Sequence, residues 1–390
     1  MLHVHRAAWV LPISGPPIRD GWVSVDAGRI VNLGADARPA QNDLCILPGL
    51  VNAHTHLEVS WMRGQVPPAE AMPAWAGRLV AIRRSAGADD PDAIHAAIRE
   101  ARAAGTALVG DVSNSLASWE PLVASPLSAA VFYELIGFRS PDANGVIADA
   151  RARLASLPNC DRLASTIVPH APYSVSPDLF RAIARATGER PMSVHVGESI
   201  EEIQFLRDGR GTWRNLLESF GAWTDAWTPP ASGPVAYLDG LGLLTDRLLA
   251  VHAVHLTDDE LQRLGSVGAT VVACPRSNRW TGAGTPPIAK FYASGVRVAI
   301  GTDSLASVED LSMFAELAAV RALASDVPAR RLLASATIDG ARALGFDEHL
   351  GSIEPGKRAE LLAVRVPPDV DDVEEYLVSG VPLVDVSWVE

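Results

Sequence analysis

The sequence predicts an α/β protein, a (β/α)8 TIM barrel with a small β-sandwich domain formed by both chain termini. Three observations carry this expectation. Eight apolar, β-branched-rich runs recur between about Cys45 and Ser304. Ala- or Leu-rich segments long enough for helices separate most of them, and the polar residues of the runs gather at their C-terminal ends. Eight is the number that closes a parallel barrel. Runs apolar on both faces suit strands covered by helices outside and filled by side chains inside. A chain of 390 residues holds such a barrel, of roughly 250 residues, and a smaller unit beside it.

Taken in order, residues 1 to about 45 show short alternating segments, Gly21 to Asp26 and Arg29 to Leu33, punctuated by Gly, Pro and Asp, the texture of small antiparallel strands. The eight runs follow: Ile46 to Leu57, Ala107 to Ser113, Ala129 to Gly137, Ser165 to Pro172, Met192 to Ser199, Leu248 to Leu256, Ala269 to Asn278 and Val296 to Ser304. Between the fifth and sixth, Gly209 to Pro234 is rich in Gly, Trp, Pro and Ser and longer than a routine connection, as functional loops often are. From Gly351 the strand texture returns, at Glu360 to Val366 and Val378 to Val389. The expected division is therefore 1–47 and 350–390 as the two parts of a β domain, with 48–349 as the barrel.

Composition narrows the function classes. Apolar residues are 48% and charged ones 20%, a soluble globular balance. A net charge of −13 opposes binding to a nucleic acid polymer or an anionic membrane, which leaves a small-molecule substrate as the expected partner. Cys45, Cys160 and Cys274 are far apart and odd in number, so neither a disulfide framework nor a thiolate zinc site is suggested, and a reducing compartment fits. Met1 to Pro16 lacks a basic segment before a continuous apolar core, and no stretch of about 20 apolar residues occurs. The expectation is a cytoplasmic protein.

The chemistry gathers at run ends. His54-Thr55-His56 places two imidazoles at i and i+2, the spacing that points side chains to one face of a strand. His195 ends the fifth run and Asp303 the eighth, at the same face of the expected barrel. Three nitrogens and one oxygen suit one divalent metal, zinc first and ferrous iron as the alternative, with water completing an open catalytic site. Glu198, three residues beyond His195, is placed for general acid/base work, and His252, ending the sixth run, to orient water or polarise a substrate. His255 is read as structural, and His3, His5, His95 and His349 as surface residues. No GxSxG elbow, Gly-rich phosphate loop or HxE…PCxxC pattern competes, since Cys274-Pro275 has no second cysteine at the right spacing.

Seven segments in this order, LPGLVNAHTHLE at 47–58, HAPYSVSP at 170–177, HVGES at 195–199, HAVHL at 252–256, CPRSN at 274–278, GTDS at 301–304 and GSIEPGKRAEL at 351–361, resemble the amidohydrolase superfamily over essentially the whole chain. The similar branch holds chlorohydrolases, guanine deaminase and adenosine-type deaminases. The resemblance implies metal ligation by His54, His56, His195 and Asp303, with Glu198 and His252 handling protons and Asp303 accepting one from the activated water. The fourth run lacks the lysine that binuclear relatives carry, and His170 stands near that place, so the resemblance implies a single metal. The segments at 60–75 and 201–223 are similar to those of aminodeoxyfutalosine deaminases, which act on an adenine nucleoside in a menaquinone pathway. By that likeness His170 and Arg276 are expected substrate contacts, and Trp75, Trp61 and Trp213 expected pocket walls. Oligomers are common in the family. The same site would also serve a chlorohydrolase or a cyclic amide hydrolase, and a catalytically silent nucleoside-binding relative is the non-enzymatic alternative.

Overall fold

The computed structural model describes residues 1–37, 40, 42–86 and 89–389. Both ends of the chain meet in one six-stranded sheet. Its strands are β1 (His3–Val10), β2 (Ile18–Asp26), β3 (Arg29–Ala35) and β4 (Leu44–Pro48) from the N-terminal end. Between these and the C-terminal strands come β5 (Leu50–Thr55), β6 (Thr106–Ser113), β7 (Ser128–Leu135), β8 (Leu163–Pro169), β9 (Met192–Val196), β10 (Leu248–His252), β11 (Thr270–Ala273) and β12 (Arg297–Ile300). Strands β13 (Leu361–Arg365) and β14 (Val386–Trp388) return to the first sheet, whose order is β14-β13-β4-β1-β2-β3. Alternating burial along β2, with Gly21, Val23 and Ser24 covered and Asp26 exposed, is the pattern of a sheet with one wet face.

All eight sequence runs contain strands, and these form two four-stranded parallel sheets, β5-β6-β7-β8 and β9-β10-β11-β12. Helices connect most of them, so that β6 and β7 are buried along their whole length. Backbone bonds join the two sheets at both margins. His195 N donates to His170 O at 2.9 Å beyond the end of β8, and Asp303 N donates to His54 O at 3.0 Å beyond the end of β12. Asn52 on β5 reinforces the second margin, donating to Thr302 Oγ1 at 2.8 Å and accepting from Thr302 N at 3.0 Å. Gly301 makes this approach sterically feasible, because a Cβ there would lie 2.7 Å from His54 O and 2.8 Å from His54 Cβ.

Two sequence expectations are corrected. The run Ile46 to Leu57 is two strands, divided at Gly49, whose N–H bonds Glu360 O at 2.7 Å in the outer sheet while Leu50 N bonds Gly105 O at 2.9 Å beside β6. A side chain at Gly49 would collide with Ala107 Cβ at 2.5 Å, so only glycine lets the chain cross there. The stretch Val378 to Val389 is a strand only over Val386–Trp388. Its start belongs to the helix Val373–Val378, set by Asp372, which accepts from Glu375 N, and by two glutamates in the first turn. The long connection Gly209 to Pro234 contains the helix Thr212–Ser219, anchored by buried Trp213 and Leu217. Among the described residues no helix is long and apolar enough to cross a membrane.

Because Gly301 sits under a metal-site candidate, Gly301→Ala is expected to lose about 1–3 kcal/mol of stability from overpacking, read in a denaturant titration, and to lower metal content by displacing His54.

Candidate active site

The C-terminal ends of the parallel strands bring five histidines together. His54 lies in β5 and His56 one residue beyond it, and their ring centroids are 4.9 Å apart. His195 of β9 stands 4.9 Å from His54 and 5.5 Å from His56. One ligand atom from each of His54, His56 and His195 falls within 4.8 Å of the others. Asp303, just past β12, points Oδ1 to 3.8 Å from His54 Nε2 and 3.5 Å from His56 Nε2. His54 is fully buried, and neither ring nitrogen has a hydrogen-bond partner. Such burial of an unpaired polar ring is unfavourable by a few kcal/mol, and a cation at the focus of these donors relieves it. Three imidazoles and a carboxylate suit a divalent metal.

Burial keeps His54, His170 and His195 neutral, with lone pairs free. It pushes His54 well below the ordinary histidine range, helped by His56 and His195, and takes His195 and His170 down to about 3. The hydrogen bonds then select the tautomers. His195 Nδ1 faces His170 O at 3.1 Å and Glu134 Oε1 at 3.4 Å, both acceptors, so Nδ1 carries the proton and Nε2 the lone pair. Ser174 Oγ donates to Ala171 O at 3.1 Å and meets His170 Nδ1 at 2.6 Å, which leaves His170 Nε2 as an acceptor. Asp303 accepts from Ser277 Oγ at 2.5 Å and from Ser307 Oγ at 3.3 Å. Burial alone would raise its carboxyl, but His56, His252 and the Ser277 hydroxyl outweigh this and hold it low. His252 and Asp303 have φ of 73° and 63°, left-handed backbone that side chains rarely adopt, concentrated here at the working ends of two strands.

Glu198 has the opposite environment. It is buried, Oε2 has no partner, and Oε1 lies 3.4 Å from His252 Nε2. Burial, with Asp303 and Glu202 adding repulsion, raises its carboxyl well above the usual range, so it holds a proton near neutrality. Asn278 Nδ2 donates to His252 Nδ1 at 3.0 Å, which places the His252 proton on Nε2. The backbone turn bearing Glu198 is pinned by Glu202, which accepts from Gly197 N at 2.9 Å and Glu198 N at 3.1 Å.

These groups floor a cavity of about 560 Å³. The helix Met72–Ala86 supplies one wall through Met72, Trp75 and Leu79, and the helix Thr212–Ser219 another through Trp213, Leu216 and Leu217. His170 and Trp75 line it as expected, and Trp213 does so while stacked on Tyr173 at 3.7 Å. Trp61 instead packs outside, among Val59, Met62 and Val66. Arg276 is the correction: it does not line the cavity. Its guanidinium is tied to Asp310 at 2.9 Å and to buried Glu316 at 3.6 Å, where it holds the helix Pro275–Thr281 that presents Ser277 and Asn278. His255 Nε2 donates to Ala283 O at 2.7 Å, in a structural role.

The sequence reading passes over Asp111, Asn114, Glu134, Ser277 and Asn278. The signal is present, because Asp111 and Glu134 lie in the last residues of their runs and Asn114, Ser277 and Asn278 at or just beyond a run end, near the positions that single out the histidines. Asp111 accepts from Leu57 N at 2.9 Å and so fixes the chain directly after the paired imidazoles.

Residues 45–382 match the amidohydrolase family. The chain is 33% identical over 311 residues to an aminodeoxyfutalosine deaminase of Deinococcus radiodurans, covering 77% of this chain and 73% of that one. It is 30% identical over 411 residues to a 5-methylthioadenosine/S-adenosylhomocysteine deaminase of Moorella thermoacetica, covering 97% and 90%. Among solved structures, a zinc-bound adenosine deaminase of Xanthomonas campestris superposes with a TM-score of 0.82 at 27% identity, over 98% of this chain and 90% of that one.

Burial raises Glu316 to about 8 even though Arg276 pulls the other way. A carboxyl whose folded pKa exceeds its unfolded one adds stability that is complete below the unfolded value, about 4.3, and is lost as pH rises through the folded one. In metal-free protein the stability advantage of wild type over Glu316→Gln is therefore expected to shrink as pH rises from 5 to 8, read as the difference in melting temperature between the two in one melting series.

Proposed function

The chain belongs to the amidohydrolase family, and from that premise we propose a mononuclear metal-dependent deaminase of an adenine nucleoside, with aminodeoxyfutalosine the first candidate substrate. The observation that carries it is the meeting of three imidazoles and Asp303 beside a protonated Glu198 at the floor of one cavity. We infer that the two parallel sheets are halves of one (β/α)8 barrel spanning 48–349, with 1–47 and 350–390 as the outer β domain. Backbone bonds at both margins support closure.

His54, His56, His195 and Asp303 would hold the metal, zinc by the chemistry of the donors and by likeness to the zinc-bound relative. When bound, it supplies Lewis-acid activation of a water molecule. The protein's own groups do the rest. Deamination adds water to the amine-bearing ring carbon, which requires a proton at the adjacent ring nitrogen, and Glu198 holds that proton in an unpartnered carboxyl. His252, oriented through Asn278, presents Nε2–H to oxygen developing at the same carbon. Asp303, held ionised, accepts the proton that water gives up and returns it to departing ammonia. His170 Nε2 and Trp75 are placed to seat the base. The chamber beyond the floor, walled by Met72, Leu79 and Leu216, suits the substituent that distinguishes extended adenine nucleosides from adenosine.

Ammonia release by zinc-loaded protein should be strongest with aminodeoxyfutalosine, weaker with methylthioadenosine or S-adenosylhomocysteine, and absent in His195→Ala or after chelation. Release of chloride or of a ring-opened acid from other substrates, with none from any nucleoside, would move the site to the chlorohydrolase or cyclic amide reading. Glu198→Gln is expected to keep its metal and to lose about 10²–10⁴-fold in kcat; a turnover equal to wild type in that loaded variant removes Glu198 from acid/base work.

A further inference from the structure

Glu134, His170 and His195 form a second group whose ligand atoms lie within 4.8 Å of one another. Taken alone it resembles a second cation site sharing His195. The hydrogen bonds around it give it another role. Glu134 is the penultimate residue of β7, is buried, and gives its two carboxylate oxygens different neighbours. Oε1 stands 3.4 Å from His195 Nδ1, the protonated nitrogen turned away from His54 and His56. Oε2 accepts from Asn114 Nδ2 at 2.9 Å, and the same amide donates to Glu134 O at 3.1 Å. One carboxylate oxygen already accepts a directed N–H, and the other stands beside a ring nitrogen that carries its own proton, so the pair is poorly disposed to bind a cation.

Asn114 is itself fixed at its other end. Its Oδ1 accepts from Arg83 Nη1 at 2.9 Å. Its backbone N–H donates at 3.0 Å to Glu58, the buried carboxylate that also pairs with Arg83 and accepts from Ser113 Oγ at 2.6 Å. Glu58 lies two residues beyond His56 and Arg83 on the wall helix Met72–Ala86. A continuous chain of hydrogen bonds therefore runs from Arg83 and Glu58 through Asn114 to Glu134, whose Oε1 stands 3.4 Å from the His195 Nδ1 that bonds His170 O. An imidazole ligand whose second N–H is fixed by a carboxylate is held in orientation and made a better donor.

We propose that Glu134 and Asn114 are positioning residues for His195, holding its ring plane from beside the nitrogen that His170 O bonds, and that the second histidine-carboxylate group is their work rather than a second metal site. This rests on His195 being a ligand, which His195→Ala tests separately by metal binding. The direction of the bonds supplies a test that simple loss of packing cannot imitate. In Glu134→Gln an amide N–H must face either Asn114 Nδ2 or His195 Nδ1, two donors. In Asn114→Asp a carboxylate faces Glu134. The double variant E134Q/N114D reverses the polarity: the new carboxylate accepts from the new amide N–H, and the carbonyl of that amide accepts from His195 Nδ1.

Zinc affinity would be measured by chelator competition, zinc per chain by elemental analysis, and folding by melting of the metal-free proteins. Wild type is expected to hold one zinc per chain. Each single variant should bind it about 10- to 100-fold more weakly, with melting temperatures close to wild type, and the double variant should recover affinity over the weaker single. Should Glu134→Gln not fold, Asn114→Ala carries the same expected loss. Wild-type affinity in the single variants, a double variant no better than the weaker single, or two zincs per wild-type chain with one lost in Glu134→Gln each overturns the proposal. His195→Ala binding zinc as wild type does would instead remove the ligand reading beneath it.

Discussion

The site is built on the exclusion of charge from a cluster of imidazoles. His54, His170, His195 and His252 are all lowered chiefly by burial, and each would repel a proton on its neighbours. Held neutral, every ring has one N–H and one lone pair, and the surrounding partners decide which nitrogen has which. His170, His195 and His252 each receive one such partner, from Ser174, His170 O and Asn278. His54 receives none. A protein interior rarely leaves a whole imidazole unsatisfied, so the buried His54, with no partner at either nitrogen, marks the place where something other than protein completes the set.

The same desolvated space separates two carboxyl groups by function. Asp303 is surrounded by hydroxyls and imidazoles and stays ionised, whereas Glu198 has one oxygen without a partner and keeps its proton. Pairs of titratable groups driven apart in this way assign acid and base roles without reference to a substrate. Both Asp303 and its neighbour His252 sit on left-handed backbone. Asp303 N bonds His54 O and Ala253 N bonds Val196 O, so the ladder itself over-determines both conformations and keeps them from relaxing.

Much of this was legible in the sequence because period and residue type coincide. Short runs apolar on both faces suit covered strands, and it is the coincidence of several histidines and an aspartate at the ends of such runs, rather than any one of them, that points to a site. The break at Gly49 was hidden because apolar residues continue on both sides of it, and only the steric demand of Ala107 reveals that the chain changes sheets. The helix Val373–Val378 was hidden because a six-residue segment shows too little period against the β-branched texture that follows. Glu134, Asn114 and Asp111 obey the run-end rule as well as His195 does. Carboxylates and amides at strand ends are also common solvated loop residues, and nothing in one sequence distinguishes the two. Arg276 differs for the complementary reason: family likeness alone suggested a substrate contact, and its partners, Asp310 and Glu316, lie 34 and 40 positions away and meet it only in the fold.

Chemistry and selectivity occupy different parts of the molecule. The histidines, Glu198 and Asp303 stand at or just beyond strand ends, tied by backbone bonds across two sheet margins, and their positions tolerate little displacement because Gly301 and Gly110 already bring backbones to closest approach. The apolar walls stand on the helices Met72–Ala86 and Thr212–Ser219, which touch the floor through side chains. Exchanging Met72, Leu79 or Leu216 would reshape the chamber while leaving every donor in place. Arg83 is the exception on those walls. Its guanidinium reaches past the chamber to Glu58 and Asn114, so a change there alters the orientation of a ligand imidazole as well as the shape of the space. Divergence of substrate within one metal centre is therefore easiest along the apolar positions of these helices and hardest at the one arginine that joins wall to floor.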